Sequence, residues 1–178
     1  MHLSEKFESK GHKVLRHNGK VSGDLSNFDE IIQLTNIAKD FGVNVLVNNA
    51  AIVCPNITFE NYDTERINKM IDVNLRAPIL LSYFLCENLT NIININSMVG
   101  LEIKSPRTLY SATKWGLRGF SNSYKKENSK ISILDVYPTN IKTIPNRKNA
   151  MDIDLVVGGI YQAFLRNQSE LILDGRKR

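Results

Sequence analysis

Cysteine is scarce in this chain. Cys54 and Cys86, the two thiols among 178 residues, cannot build a disulfide framework. They read as reduced cytosolic thiols of the packing kind. Long apolar runs are missing too. The densest, Pro78–Cys86, falls far short of the ~20 residues that cross a bilayer. The opening Met1–Lys10 is polar and helix-like, with no charged-then-apolar export signal. Histidine is confined to His2, His12 and His17, without ligand spacing or a cysteine partner, so no metal site is expected. Zinc-finger spacing, RNP-type aromatics and a basic zipper are also absent. Secreted, membrane-spanning and collagen-like classes drop out, and a cytoplasmic protein without membrane or nucleic-acid partners is expected.

What is present is ordinary globular material, 42% hydrophobic and 23% charged. That is enough for one domain over 1–178 with a real core. Charge is unevenly divided: residues 1–103 carry net −3 and residues 104–178 net +8. A basic half attracts nucleic acid, an acidic lipid surface or an anionic ligand; it is also what a solvated surface looks like. Without a nucleic-acid signature, a phosphorylated cofactor is the more economical target.

Periodicity places the elements. Met1–Lys10 reads as the end of a helix, with Leu3 and Phe7 at i, i+4 and Gly11 as its C-cap. Lys13–Arg16 and Lys20–Gly23 read as short strands. Asn27–Phe41 is helical, with Ser26 and Asn27 as candidate caps. Val43–Val47 is a continuous β-branched strand of the kind parallel sheets bury. Asp63–Asn88 reads as a long helix bent near Pro78, Asn91–Asn96 as a strand and Arg107–Lys126 as a second long helix. Ser129–Tyr137 is a strand closed by Pro138, Asp154–Asn167 a helix and Glu170–Leu173 a last strand. Strands alternating with helices imply an α/β fold, a doubly wound parallel sheet.

Tyr110 and Lys114 form a Y-x-x-x-K pair. With this many Tyr and Lys, about 0.5 such pair arises by chance, and an exposed helix face would also carry one. On a helix, i and i+4 share a face, so phenol and ammonium can share a site. A positive charge within about 4–6 Å lowers a phenol's pKa by 1–3 units and makes it a usable proton donor and acceptor. Ser97 ends the N-I-I-N-I-N strand, 13 residues before Tyr110. Asn48-Asn49-Ala50-Ala51 follows the V-N-V-L-V strand, and ligands bind at the carboxyl ends of such strands. Asn74 interrupts an apolar helix, where its amide needs partners. Pro138 and Thr143 lie just past the S-I-L-D-V-Y strand.

In this order, N-N-A-A at 48–51, D-V-N-L around Asn74, Ser97, Y-S-A-T-K at 110–114 and P-T-N-I-K-T at 138–143 resemble the short-chain dehydrogenase/reductase family of the single-domain Rossmann type. The resemblance runs from Leu3 to Gly175. It implies an NAD(P)-dependent oxidoreductase that interconverts a small-molecule carbonyl and alcohol. Tyr110 would be the general acid, and Ser97 would hydrogen-bond the carbonyl oxygen. Lys114 would bind the nicotinamide ribose and depress the Tyr110 pKa. Asn74 would position a water joining Lys114 to solvent. Ile141 and Thr143 would hold the carboxamide. Asp24, with Leu25 beside it, would meet adenine, while Asn48 and Ala50 would line the ribose path and Pro138 the nicotinamide end. No acid closes the L-R-H-N-G-K stretch, where NAD users place one for the ribose hydroxyls; Arg16, His17 and Lys20 could meet a 2′-phosphate. NADP is therefore the preferred cofactor, with NAD as the alternative. A homo-oligomer is expected through the two long helices, with Leu80, Leu81, Phe84 and Leu85 giving apolar area that core packing would equally use.

The sequence departs from the family in one large way. The first strand and the glycine-rich turn T-G-x-x-x-G-x-G are absent, so the Rossmann-like domain reads as N-terminally truncated. That turn brings the backbone to the pyrophosphate and aims a helix N-terminus at it. Without the strand, either a gap is left in the sheet or V-L-R-H and V-N-V-L-V pair directly. A mis-assigned start, a truncated remnant and a genuine short product all remain open. Ala51 and Thr139 stand where the family has glycine, and the segment between Thr143 and Asp154 is short. The competing reading is a catalytically silent Rossmann module without tight cofactor binding; a third, an anion or nucleic-acid binder, has only the charge split behind it.

Overall fold

Strands that are apolar on both sides must be covered on both faces, and such strands pair in parallel between helices. The computed structural model, which describes residues 2–19, 21–53, 57–142 and 150–176, has this arrangement. Strands β1 (Val45–Asn48), β2 (Asn91–Ile95), β3 (Ser132–Pro138) and β4 (Glu170–Leu173) form one parallel sheet in the order β1-β2-β3-β4. Helices α1 (Leu3–Glu8) and α2 (Phe28–Phe41) precede it. Helices α3 (Thr64–Ile71) and α4 (Ala77–Leu85) join β1 to β2, α5 (Thr108–Glu127) joins β2 to β3, and α6 (Ile153–Leu165) joins β3 to β4. The fold is the expected α/β, Rossmann-like one. None of the described helices is long and apolar enough to cross a membrane.

Alternation along the strands sorts the layers. Val45, Val47, Ile93, Ile95, Leu134 and Val136 pack on one face against Phe7 of α1 and Val156 and Ile160 of α6. Leu46, Ile92 and Ile133 point the other way, to Ala38 of α2, Leu85 of α4 and Tyr124 of α5. A one-residue slip would send every one of these side chains to the wrong face, which specifies the register. The helix ends follow local chemistry. Asn27 caps α2 by accepting from the Asp29 amide at 2.9 Å, and Gly42 closes it at φ 75°, a conformation that glycine adopts without a Cβ penalty. Asp63 and Asp152 cap α3 and α6.

Two expected strands do not form. Lys13–Arg16 has no strand pairing among the described residues, and Val21 and Ser22 form a turn and bend; Lys20 lies outside the described residues. The reason is the lack of a neighbour, because an isolated segment has no ladder to join. Val14 and Leu15 still pack into opposite clusters, one on each side of the sheet. Direct pairing of this segment with β1 does not occur, and β1 is an edge of the described sheet. Just before Pro78, the helix takes a π-helical turn over Asp72–Arg76. Pro78 has no N–H to offer the carbonyl of Asn74, so the α-helical ladder cannot run through.

Where register aligns Asn48, Asn94 and Asp135, three polar side chains cross three strands beneath α5. Asn48 Nδ2 donates to Asn94 Oδ1 at 2.8 Å. Asn94 Nδ2 donates to Ser121 Oγ at 2.9 Å and to Asp135 Oδ1 at 3.1 Å. Ser121 Oγ lies 2.8 Å from Asp135 Oδ1. Lys125 Nζ closes the seam on Asp135 Oδ2 at 2.7 Å and also donates to the Ser169 carbonyl. Asn94, Ser121 and Asp135 are all buried. Removing the carboxylate strands the others in the interior. Asp135→Ala is expected to destabilise the fold by about 3 kcal/mol in chemical denaturation; a loss below about 0.5 kcal/mol would show that the seam contributes nothing.

Candidate active site

Strand β2 stops at Ile95, and the chain leaves the sheet through Asn96 and Ser97 into a single 3₁₀ turn, Met98–Gly100. Ser97 therefore stands at the carboxyl edge of the sheet, where α/β folds bind ligands. Helix α5 then packs back against that edge. Leu109, Thr113 and Leu117 on its inward face are buried, and the same face carries Tyr110 and Lys114 one turn apart. The Ser97 hydroxyl lies near enough to the Tyr110 phenol to favour its ionised form, and it accepts from the Val99 amide at 3.4 Å. Lys114 Nζ donates to the Ile95 carbonyl at 3.0 Å and sits 5.8 Å from the centre of the Tyr110 ring. The three residues singled out in the sequence meet at one place.

Their electrostatics differ from the expectation. Burial raises the Tyr110 pKa above its ordinary value, and the Ser97 hydroxyl and the Arg107 charge offset only part of that. Lys114 is 2% exposed, and burial brings its pKa down to about 8. The phenol is thus not lowered by its cationic neighbour in this state. Desolvation is the larger effect, and the ammonium is turned to the Ile95 carbonyl.

Asn74 sits in the π-helical turn with its carboxamide engaged at both ends. Its Oδ1 accepts from the Ile52 amide at 2.7 Å, and its Nδ2 donates to the Ile52 carbonyl at 2.9 Å and to Thr113 Oγ1 at 3.3 Å. It ties the loop after β1 to α5, in the layer where Lys114 lies. Asn48 reaches this edge as the last residue of β1, but its amide is held by Asn94; Ala50 is exposed in the loop beyond. Asp24 is farther out. Hydrogen bonds from the Ser26 amide and hydroxyl, with Lys69 at 3.2 Å, hold its carboxyl below the usual range. The Leu25 side chain packs with Ile31, Val73, Ala77 and Leu81. Pro138 ends β3, and Ile141 forms a parallel bridge to Met151. Thr143 lies outside the described residues. Arg16 is ion-paired with Glu8, and His17 is half-buried, which lowers its pKa. Ala51 has no positive φ, so its methyl adds no strain where the resemblance would have glycine.

Sequence reasoning missed Asn94 and Asp135, whose signal was a polar residue inside each of two apolar strands. It also passed over Asn96, which is buried where β2 meets α5; the signal there was an amide directly preceding Ser97. As for a nicotinamide cofactor, the described residues fit one half of it. Lys114 carries three donors, one of which goes to Ile95, beside a phenol and a hydroxyl, and that set suits a ribose diol and a reacting oxygen. For the pyrophosphate there is no glycine-rich turn opening a helix beside β1 among the described residues; α1 begins at His2 with a capping box to Glu5.

Comparison with known proteins gives the same picture. Residues 4–153 match the family described as short chain dehydrogenase. Over 141 residues the chain is 32% identical to a 3-oxoacyl-[acyl-carrier-protein] reductase of Buchnera aphidicola, covering 74% of this chain and 57% of the reductase. Among solved structures, an alcohol dehydrogenase from the archaeon Thermococcus sibiricus, complexed with 5-hydroxy-NADP, superposes with a TM-score of 0.81 at 20% identity, covering 98% of this chain and 80% of that one. A 4-hydroxyisoleucine dehydrogenase complexed with NADH and succinate superposes at 0.75 with 25% identity, covering 96% and 90%. The chain spans between half and two-thirds of the length of the curated relatives it matches first, at 50% and 64%. With residues 4–153 matched by one family's pattern, the chain belongs to the short-chain dehydrogenase family.

Proposed function

We propose that this chain carries the reacting centre of an NAD(P)-dependent oxidoreductase that interconverts a carbonyl and an alcohol. The observation behind this reading is the convergence of Ser97, Tyr110 and Lys114 at the carboxyl edge of β2. A bound nicotinamide dinucleotide would supply or accept the hydride. The chain's own groups handle the oxygen and its proton. Ser97 Oγ donates a hydrogen bond to the substrate oxygen and orients it. Tyr110 gives that oxygen its proton on reduction and takes it back on oxidation. Lys114 would hold the ribose hydroxyls, and its ammonium, turned from Ile95 toward the phenol, would lower the phenol's pKa. Asn74 keeps the Ile52 loop against α5, Asn48 and Ala50 line the ribose path, and Pro138 and Ile141 border the nicotinamide end. Asp24 and Leu25 stand at the adenine end.

NADP remains the preferred cofactor because no acid follows Arg16 and His17 to bind a free 2′-hydroxyl. The Glu8–Arg16 ion pair has to open, or His17 and Lys20 have to serve instead, for a 2′-phosphate to be held. A cytoplasmic homo-oligomer is part of the same reading. Leu81 and Leu85 are core residues, so the outward apolar area of the two long helices comes from Ile71, Tyr83 and Trp115. The second reading is a silent module, in keeping with a fold that offers no glycine-rich turn beside β1 among the described residues. Titration of NADPH separates the two, since submillimolar binding supports the enzyme and failure to bind at millimolar concentration supports the silent module.

Two outcomes are expected at this site. Tyr110→Phe should lower ketone reduction with NADPH at least about a hundredfold; unchanged turnover would remove Tyr110 from the chemistry. The second concerns Lys114, whose pKa is about 8 in the fold against 10.5 ordinarily. Between those values the unfolded chain binds more protons, so stability rises with pH across that window. Below about pH 8 the buried ammonium penalises the fold in full. Lys114→Met should therefore raise the thermal midpoint at pH 7, with a gain that shrinks from pH 8 to 10.5. A gain independent of pH would contradict the burial of a charge at this position.

A further inference from the structure

Asn96 lies between Ile95, whose carbonyl takes the Lys114 ammonium, and Ser97, whose hydroxyl lies beside the Tyr110 phenol. It is buried, and its own backbone N–H is held by the Val136 carbonyl of β3 at 2.8 Å. Its carboxamide has two partners. Oδ1 accepts from the Ser97 backbone amide at 2.9 Å, and Nδ2 donates to the Lys114 backbone carbonyl at 3.1 Å. Lys114 is thereby gripped twice from one tripeptide, its ammonium by the Ile95 carbonyl and its main chain by Asn96.

Gly100 makes this grip close-fitting. A Cβ built at Gly100 would lie 2.7 Å from Asn96 Oδ1, 3.2 Å from its Cγ and 3.2 Å from the Lys114 carbonyl oxygen. The 3₁₀ turn after Ser97 can fold back over the carboxamide only because that position has no side chain. The turn itself is closed by the Gly100 amide donating to the Ser97 carbonyl at 2.8 Å.

From this we infer that Asn96 is a positioning residue for the reaction: its carboxamide sets the spacing of Ser97 from Lys114, and through α5 from Tyr110. A side chain that holds two partners by one rigid amide transmits any displacement to both. A shift of about 1 Å in reacting groups lowers rate by as much as a hundredfold. The inference rests on the reading of Ser97, Tyr110 and Lys114 as the reacting centre, but its first measurement needs neither cofactor nor substrate.

That measurement is the titration of Lys114 by NMR of the full chain labelled with 13C-lysine, the resonance being assigned by its loss in Lys114→Met. In the unaltered chain the midpoint is expected near 8. In Asn96→Ala the lysine is released toward water, and the midpoint should rise by about one unit or more. A loss of global stability alone would not move it. Should Asn96→Ala fail to fold, Gly100→Ala displaces the same carboxamide from the other side and should move the midpoint in the same direction. With NADPH and a ketone, either folded variant should lose at least about tenfold in kcat with KM nearly unchanged. A Lys114 midpoint unchanged in the folded variants, or an unchanged kcat, overturns the inference. If the unaltered chain neither binds NADPH nor turns over, the oxidoreductase reading fails by itself, and the midpoint still decides whether Asn96 positions Lys114.

Discussion

A buried ammonium held against one strand carbonyl organises this end of the molecule. Lys114 has almost no contact with solvent, and its charge is accommodated by the Ile95 carbonyl at 3.0 Å. Burial works against that charge and brings the lysine to about 8. An amine so poised is pulled easily toward a better set of acceptors. The phenol one turn earlier is buried as well, and burial favours its neutral form. Both groups are thus held away from their solution behaviour by the same dry layer between β2 and α5. A ligand that fills the sheet edge would change the surroundings of both together.

That layer depends on the sheet beneath it. The register of β1, β2 and β3 places Asn48, Asn94 and Asp135 side by side, with Ser121 and Lys125 of α5 joined to them. Helix α5 is therefore attached to the strands by polar contacts along its middle as well as by packing. Its first turns, which carry Tyr110 and Lys114, are secured separately through Thr113, Asn74 and Ile52. The two attachments leave the helix little freedom to rotate about its axis, and rotation is the motion that would separate the phenol from Ser97.

The sequence made much of this legible. The β-branched segments at 43–47 and within 129–137 and the spacing between Ser97 and Tyr110 reflect burial and helical geometry, which depend on neighbouring residues. Lys13–Arg16 shows where this stops. Its composition suits a strand, yet a strand exists only when another backbone takes its hydrogen bonds, and the segment has no such partner. The polar seam was hidden for a related reason, since Asn94 and Asp135 look misplaced in apolar strands until the register brings them together. The rise of the Tyr110 pKa in this state is not legible in the sequence, because i, i+4 spacing brings charges near but does not report how much water is excluded. Asn74 was flagged correctly as needing partners, and the partner proved to be a loop backbone 22 residues away.

The account stands or falls on contact between Ser97 and Tyr110. It is tested most directly by following tyrosine ionisation through ultraviolet absorbance in the unaltered chain and in Ser97→Ala, with Tyr110→Phe subtracted from each to isolate the one phenol. Tyr110 should ionise above the ordinary tyrosine value in the unaltered chain, and loss of the Ser97 hydroxyl should push its midpoint higher still. An identical midpoint in the two proteins, or one at or below the ordinary value, would show that hydroxyl and phenol do not share a site.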